Sequence, residues 1–76
     1  MNNTKINPRI IHYHFLAGPQ KWSAYTTWKG YDFYEIGETD RNAIFFLLSK
    51  HADDFGLNEG EIPDYITKII ALHDQS

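Results

Sequence analysis

Cysteine is absent from this chain, so neither a disulfide nor a thiolate metal centre is available to it, which fits a reducing compartment. Proline and methionine are scarce, and no apolar run approaches the roughly 20 residues that a membrane span requires. Residues 1–9 lack the apolar core of a signal peptide, and the run from Ile10 to Leu16 is broken by His12 and His14. The expected location is therefore cytoplasmic, with no membrane partner. Also missing are a glycine-rich phosphate loop, a His-Glu-x-x-His motif and a nucleophile elbow around Ser23 or Ser49. No close pair of carboxylates has an evident task. Glu35, Glu38 and Asp40 read as a solvated edge and a helix start. These absences point away from catalysis, and the chain is read as a non-enzyme without cofactor or metal.

Negative charge is missing from residues 1–31, which carry Lys5, Arg9, Lys21 and Lys29 and no acid. The remainder reverses this, with three cations against ten acids, and the whole chain is −3. Such asymmetry shapes partner choice and encounter rate, not fold. At 76 residues the chain makes one domain. A domain of this size buries only about 60–65% of its unfolded surface, so its core is thin. Aromatic residues are in surplus, with twelve in all, and eight of them lie in the first half among predicted strands.

Residues 1–8 are polar and aperiodic and read as a flexible tail; residues 9–76 form the single domain. Alternation predicts a first strand over 9–16, with Ile11, Tyr13 and Phe15 on one face and Ile10, His12, His14 and Leu16 on the other. A Gly-Pro turn follows. The second strand, 22–28, sets Trp22, Ala24, Thr26 and Trp28 against Ser23, Tyr25 and Thr27. Lys29-Gly30 closes a tight hairpin. The third strand, 31–36, sets Tyr31, Phe33 and Glu35 against Asp32, Tyr34 and Ile36.

Gly37 breaks the last strand and Thr39 caps a helix expected to run to about Phe55, with Gly56 as its stop. Ala43, Ile44, Leu47, Leu48, His51, Ala52 and Phe55 make its apolar face. Phe46 falls on the opposite, wet side with Asn42, Ser49, Lys50 and Asp53. His51 and His73 come at helix ends, where positive charge is favoured. Residues 57–62 read as a loop, and Pro63 opens a short amphipathic helix over 64–73, for which Phe46 is a candidate anchor. The order β-β-β-α-α makes a two-layer α+β domain, an antiparallel meander covered by helices.

The segment W-S-A-Y, a turn, a third strand and G-E-T-D-x-x-A-I opening a helix resembles the β-β-β-α unit of HicB-type antitoxins over residues 22–48. Small phage-encoded inhibitors of host enzymes use similar strand–strand–helix units. The chain departs from the antitoxin pattern in two places. Trp28-Lys29-Gly30 stands where the family carries a proline–glycine turn, and a ten-residue helix replaces its C-terminal DNA-binding segment. The resemblance implies a phage or bacterial accessory protein that neutralises a partner.

The residues themselves point the same way. His12 and His14 share a strand face at metal-ligand spacing, but without a clear third ligand they read as strand histidines beside aromatic neighbours. Aromatic anchors Trp22, Tyr25, Trp28 and Phe46, with a rim of Asp53, Asp54, Glu59, Glu61 and Asp64, suit a protein partner with a basic surface. The alternative is an RNA or single-stranded nucleic-acid module that stacks bases on the aromatic sheet face. The net negative charge weighs against phosphate binding.

Overall fold

The computed structural model describes residues 4–74. Three strands, β1 (His12–Leu16), β2 (Lys21–Trp28) and β3 (Tyr31–Gly37), form an antiparallel meander in the order β1-β2-β3. Its tightest link is the two-residue hairpin loop, in which Lys29 (φ 52°) and Gly30 (φ 84°) both adopt left-handed backbone. This is the turn whose twist matches the strands it joins. Pairing of Tyr13 with Ala24 and of Ala24 with Glu35 places the predicted faces in register across all three strands. One face carries Tyr13, Trp22, Ala24, Thr26, Trp28, Phe33 and Glu35. The other carries His12, His14, Ser23, Tyr25, Thr27, Asp32, Tyr34 and Ile36.

Helices cover only the first of these faces. Thr39, in extended backbone, accepts a hydrogen bond from the Asn42 amide at 3.1 Å and starts α1 (Asp40–Lys50). Its buried residues are Ala43, Ile44, Leu47 and Leu48, in the phase expected from the sequence. Replacing Thr39 with alanine removes the acceptor of a first-turn amide and is expected to cost about 0.5–2 kcal/mol, read as a lowered urea midpoint at unchanged slope. An unchanged midpoint would place the start of the helix elsewhere.

The expected single helix to Phe55 is in fact broken. His51 leaves helical backbone (φ −118°, ψ 23°), and a short α2 (Ala52–Phe55) follows before Gly56 closes it with φ 74°. At the break, His51 Nε2 lies 3.0 Å from Glu35 Oε2, and its ring packs on Phe33 at 4.9 Å between centroids. Glu35 also meets Lys50 Nζ at 3.4 Å. Glu35 is thus a half-buried carboxylate on the covered face, not part of a solvated edge, because β-alternation turns it toward α1.

The loop expected over 57–62 holds a 3-10 turn, η2 (Glu59–Glu61), running directly into α3 (Ile62–Asp74), so the last helix begins two residues earlier than predicted. Its Ile62, Ile66 and Ile69 are buried, and it packs beside α1 on the same side of the sheet. There His73 stacks on Tyr13 with centroids 4.1 Å apart. Phe46 lies outside the core cluster; its ring meets Phe45 at 5.9 Å and the Lys50 ammonium at 5.6 Å. Phe45, which periodicity did not single out, is the more open of the two at 45% exposed.

The predicted tail is also corrected where it is described, since residues 1–3 lie outside the described range. Ile6 is buried, its amide donates to Phe55 O at 3.0 Å, and its carbonyl accepts from the Tyr65 hydroxyl at 2.9 Å. A 3-10 turn, η1 (Pro8–Ile10), capped by the Asn7 side chain, then delays the first strand to His12. A single apolar residue in a polar stretch carries no periodicity, and only the crevice between α2 and α3 makes Ile6 core.

Candidate functional site

The uncovered sheet face exposes Tyr25, Tyr34 and Ile36 to solvent. Tyr25 and Tyr34 are directly paired across β2 and β3, and Ser23 pairs with Ile36 in the next row but one. Tyr25, Tyr34 and Ile36 are 37%, 52% and 42% exposed. On the β1 side, His12 tilts against Tyr25 at 5.4 Å and His14 meets it edge-on at 5.5 Å. Both histidines are therefore packed on one ring, and His14 also approaches the Ser23 hydroxyl at 3.4 Å. Among the described residues, no group of three or more His, Asp or Glu side chains is placed to hold a metal ion. Toward the hairpin, Thr27 Oγ1 donates to Asp32 Oδ1 at 2.7 Å. A groove of about 360 Å³ opens there, lined by His14, Tyr25, Thr27, Asp32 and Tyr34 among others.

The surface read from sequence as one rim around one aromatic centre divides into two. Of its rings, Tyr25 alone belongs to the uncovered face. Trp22 and Trp28 face the helices and pack against the core. Trp28 Nε1 donates to Asp54 O at 3.0 Å, which ties the hairpin to α2. Asp53, Asp54, Glu59 and Asp64 are exposed in the helical layer. Glu61 is not a free rim charge. It accepts from the Asn58 amide at 2.9 Å and is ion-paired with Lys5. The Lys5 hydrogen bond, with the Asn58 amide behind it, holds the Glu61 carboxyl below its usual range, and the same pairing raises Lys5. Burial, in turn, pushes the phenols of Tyr13 and Tyr65 upward.

Tyr34, Ile36 and Asp32 were missed as site residues. The signal was present in the sequence, because each shares strand phase with Tyr25 once the hairpin register is set. What was missing was which face the helices leave bare. Cations are sparse on that face: Lys21, at its edge, is ion-paired with Glu38, and the groove lining contains no Lys or Arg. No described helix is long and apolar enough to cross a membrane. In comparisons with known proteins the chain matches no family model, no curated protein sequence and no solved structure.

Proposed function

We propose that this protein is a small non-enzymatic binding protein that docks a protein partner on its uncovered sheet face and neutralises that partner by occupying its surface. The observation that carries this reading is the contiguous set Tyr25, Tyr34 and Ile36, exposed on adjacent strands with no helix over them. Tyrosines of this kind are favoured interface anchors, each bringing a large rigid surface at low entropic cost. Three strands of this length present a face of roughly 25 by 14 Å, about half of the ~800 Å² that a standard interface buries per partner. The rest of the contact must come from the edges of the sheet, since the acidic residues stand in the helical layer and act on approach. The exposed carboxylates Asp53, Asp54, Glu59 and Asp64 suit a basic partner and would speed its approach at low salt. The nucleic-acid alternative has stacking rings, but the groove lining contains no Lys or Arg to neutralise phosphates.

Capture from source-cell extract, followed by reconstitution with the purified captured protein, tests this. The pair Tyr34→Glu and Ile36→Lys is expected to weaken binding by at least about 100-fold while the denaturation midpoint stays close to wild type. Reversal of Asp53, Asp54, Glu59 and Asp64 to Lys is expected to slow association in a salt-dependent way with little change in dissociation. Glu61 is left out of that set because it anchors Lys5 and the Asn58 turn. Undiminished binding by the sheet-face pair would overturn the reading. Tight, steeply salt-dependent binding of single-stranded oligonucleotides would replace it with the nucleic-acid one. Turnover that is lost in a His12→Ala, His14→Ala variant would overturn its non-enzymatic part.

A further inference from the structure

We infer that the groove over Tyr25 and Tyr34 is a receptor for one cationic side chain, an arginine or lysine presented by the protein partner. This rests on the reading of the sheet face as the docking surface and specifies what its centre recognises. The two tyrosines are immediate cross-strand neighbours, and both line the groove. The faces of such rings carry negative quadrupole charge and attract cations held within about 6 Å. Asp32 supplies a full negative charge on the same lining. Its Oδ1 is occupied by the Thr27 hydroxyl at 2.7 Å, which orients the carboxylate, and its Oδ2 makes no hydrogen bond among the described residues.

Charge complementarity sets the choice of occupant. The lining is mostly apolar surface with one oriented carboxylate, Asp32, and no Lys or Arg, which favours a cation carried on an apolar stem over an anionic group. His14 and the neighbouring His12 are the only other ionisable side chains facing this part of the sheet from β1, and both lean on Tyr25 rather than on Asp32. At about 360 Å³ the groove is near the small end of ligand pockets, roughly 300–1,000 Å³. That volume suits a single side chain better than a cofactor.

The groove can be tested without the partner. The full chain, labelled with ¹⁵N and ¹³C, is titrated with Nα-acetyl-arginine amide, Nα-acetyl-lysine amide and the uncharged arginine isostere Nα-acetyl-citrulline amide. The expected result is weak but saturable shifts confined to Tyr25, Thr27, Asp32 and Tyr34 with at least one of the two cations. Citrulline is expected to bind about tenfold more weakly than arginine, the size of one charge or cation–π contact in a half-open site. Asp32→Asn is expected to erase that difference, and Tyr34→Leu to weaken both cations. Both positions are solvent-exposed, and retained amide dispersion verifies folding. Equal binding of citrulline and arginine, an unaffected Asp32→Asn variant, or no saturable shift with either cation would overturn the inference. In that event, continued loss of partner binding by Tyr34→Glu with Ile36→Lys would leave the docking face standing and remove only the cation receptor.

Discussion

Gly37→Ala is expected to leave much of the chain unfolded at room temperature. Gly37 ends β3 where the first turn of α1 crosses it, and an added methyl carbon would lie 2.5 Å from the Ala43 amide nitrogen and 2.7 Å from the Asn42 carbonyl carbon. Both are backbone atoms of a helix already held by the Thr39 cap and by Ala43 and Ile44, which are fully buried. No rotamer change relieves the overlap, so α1 must lift from the sheet. Overpacking usually costs about 1–3 kcal/mol, and a backbone clash belongs at the top of that range or above it. A core this small supplies only about 3–5 kcal/mol in total. With a urea slope of about 1 kcal/mol per molar, the midpoint should fall by roughly 3 M. Gly18→Ala is the control, because nothing lies within 4 Å of the carbon it adds. Equal midpoints for the two variants would mean that α1 does not rest on the end of β3.

Phe55→Ala should be nearly as damaging. Phe55 is fully buried, meets Phe33 edge-on at 4.9 Å between centroids, and offers its carbonyl to the Ile6 amide. The truncation leaves a cavity where β3, α2 and the N-terminal segment meet, at an expected cost of about 3–5 kcal/mol. Ile6 should loosen first, so its amide is expected to lose hydrogen-exchange protection even in a milder Phe55→Leu variant. Phe45→Ala, by contrast, should stay within about 0.5 kcal/mol of wild type, since that ring is nearly half open to solvent. If Phe45→Ala proved the costlier change, the helical phase of α1 would be wrong.

Strand phase was legible in the sequence because it needs only nearest-neighbour alternation. Within each strand alternation alone groups Tyr13 with Ile11, Trp22 with Ala24, Thr26 and Trp28, and Phe33 with Glu35, and the pairing register joins these three sides into one face. The Thr39 cap and the Gly56 stop were equally local, each being a backbone need that one residue type meets. Within α1 the run Ala43-Ile44-Phe45-Phe46-Leu47-Leu48 is apolar on every side. Periodicity there identifies the buried face and says little about the two phenylalanines beside it.

Tertiary structure decided the rest, and in each case through a partner far away in sequence. Glu35 and His51 are 16 residues apart, and they meet where the helix breaks. Ile6 and Tyr65 are 59 apart, and the crevice between α2 and α3, with hydrogen bonds to Phe55 and Tyr65, makes core of an apparent tail. Gly37 looked like a strand breaker and proved to be a point of closest approach. The candidate site depended on the same kind of fact. Alternation distributes aromatic rings to both faces of the sheet, but it is silent about which face a helix will take. α1 and α3 both settle on the side of Ala24, where a small central residue admits α1 and Tyr13 meets His73. The face of Tyr25, Tyr34 and Asp32 is thereby left bare. A one-dimensional pattern records what each residue prefers, whereas the burial of a whole face depends on how the layers pack together.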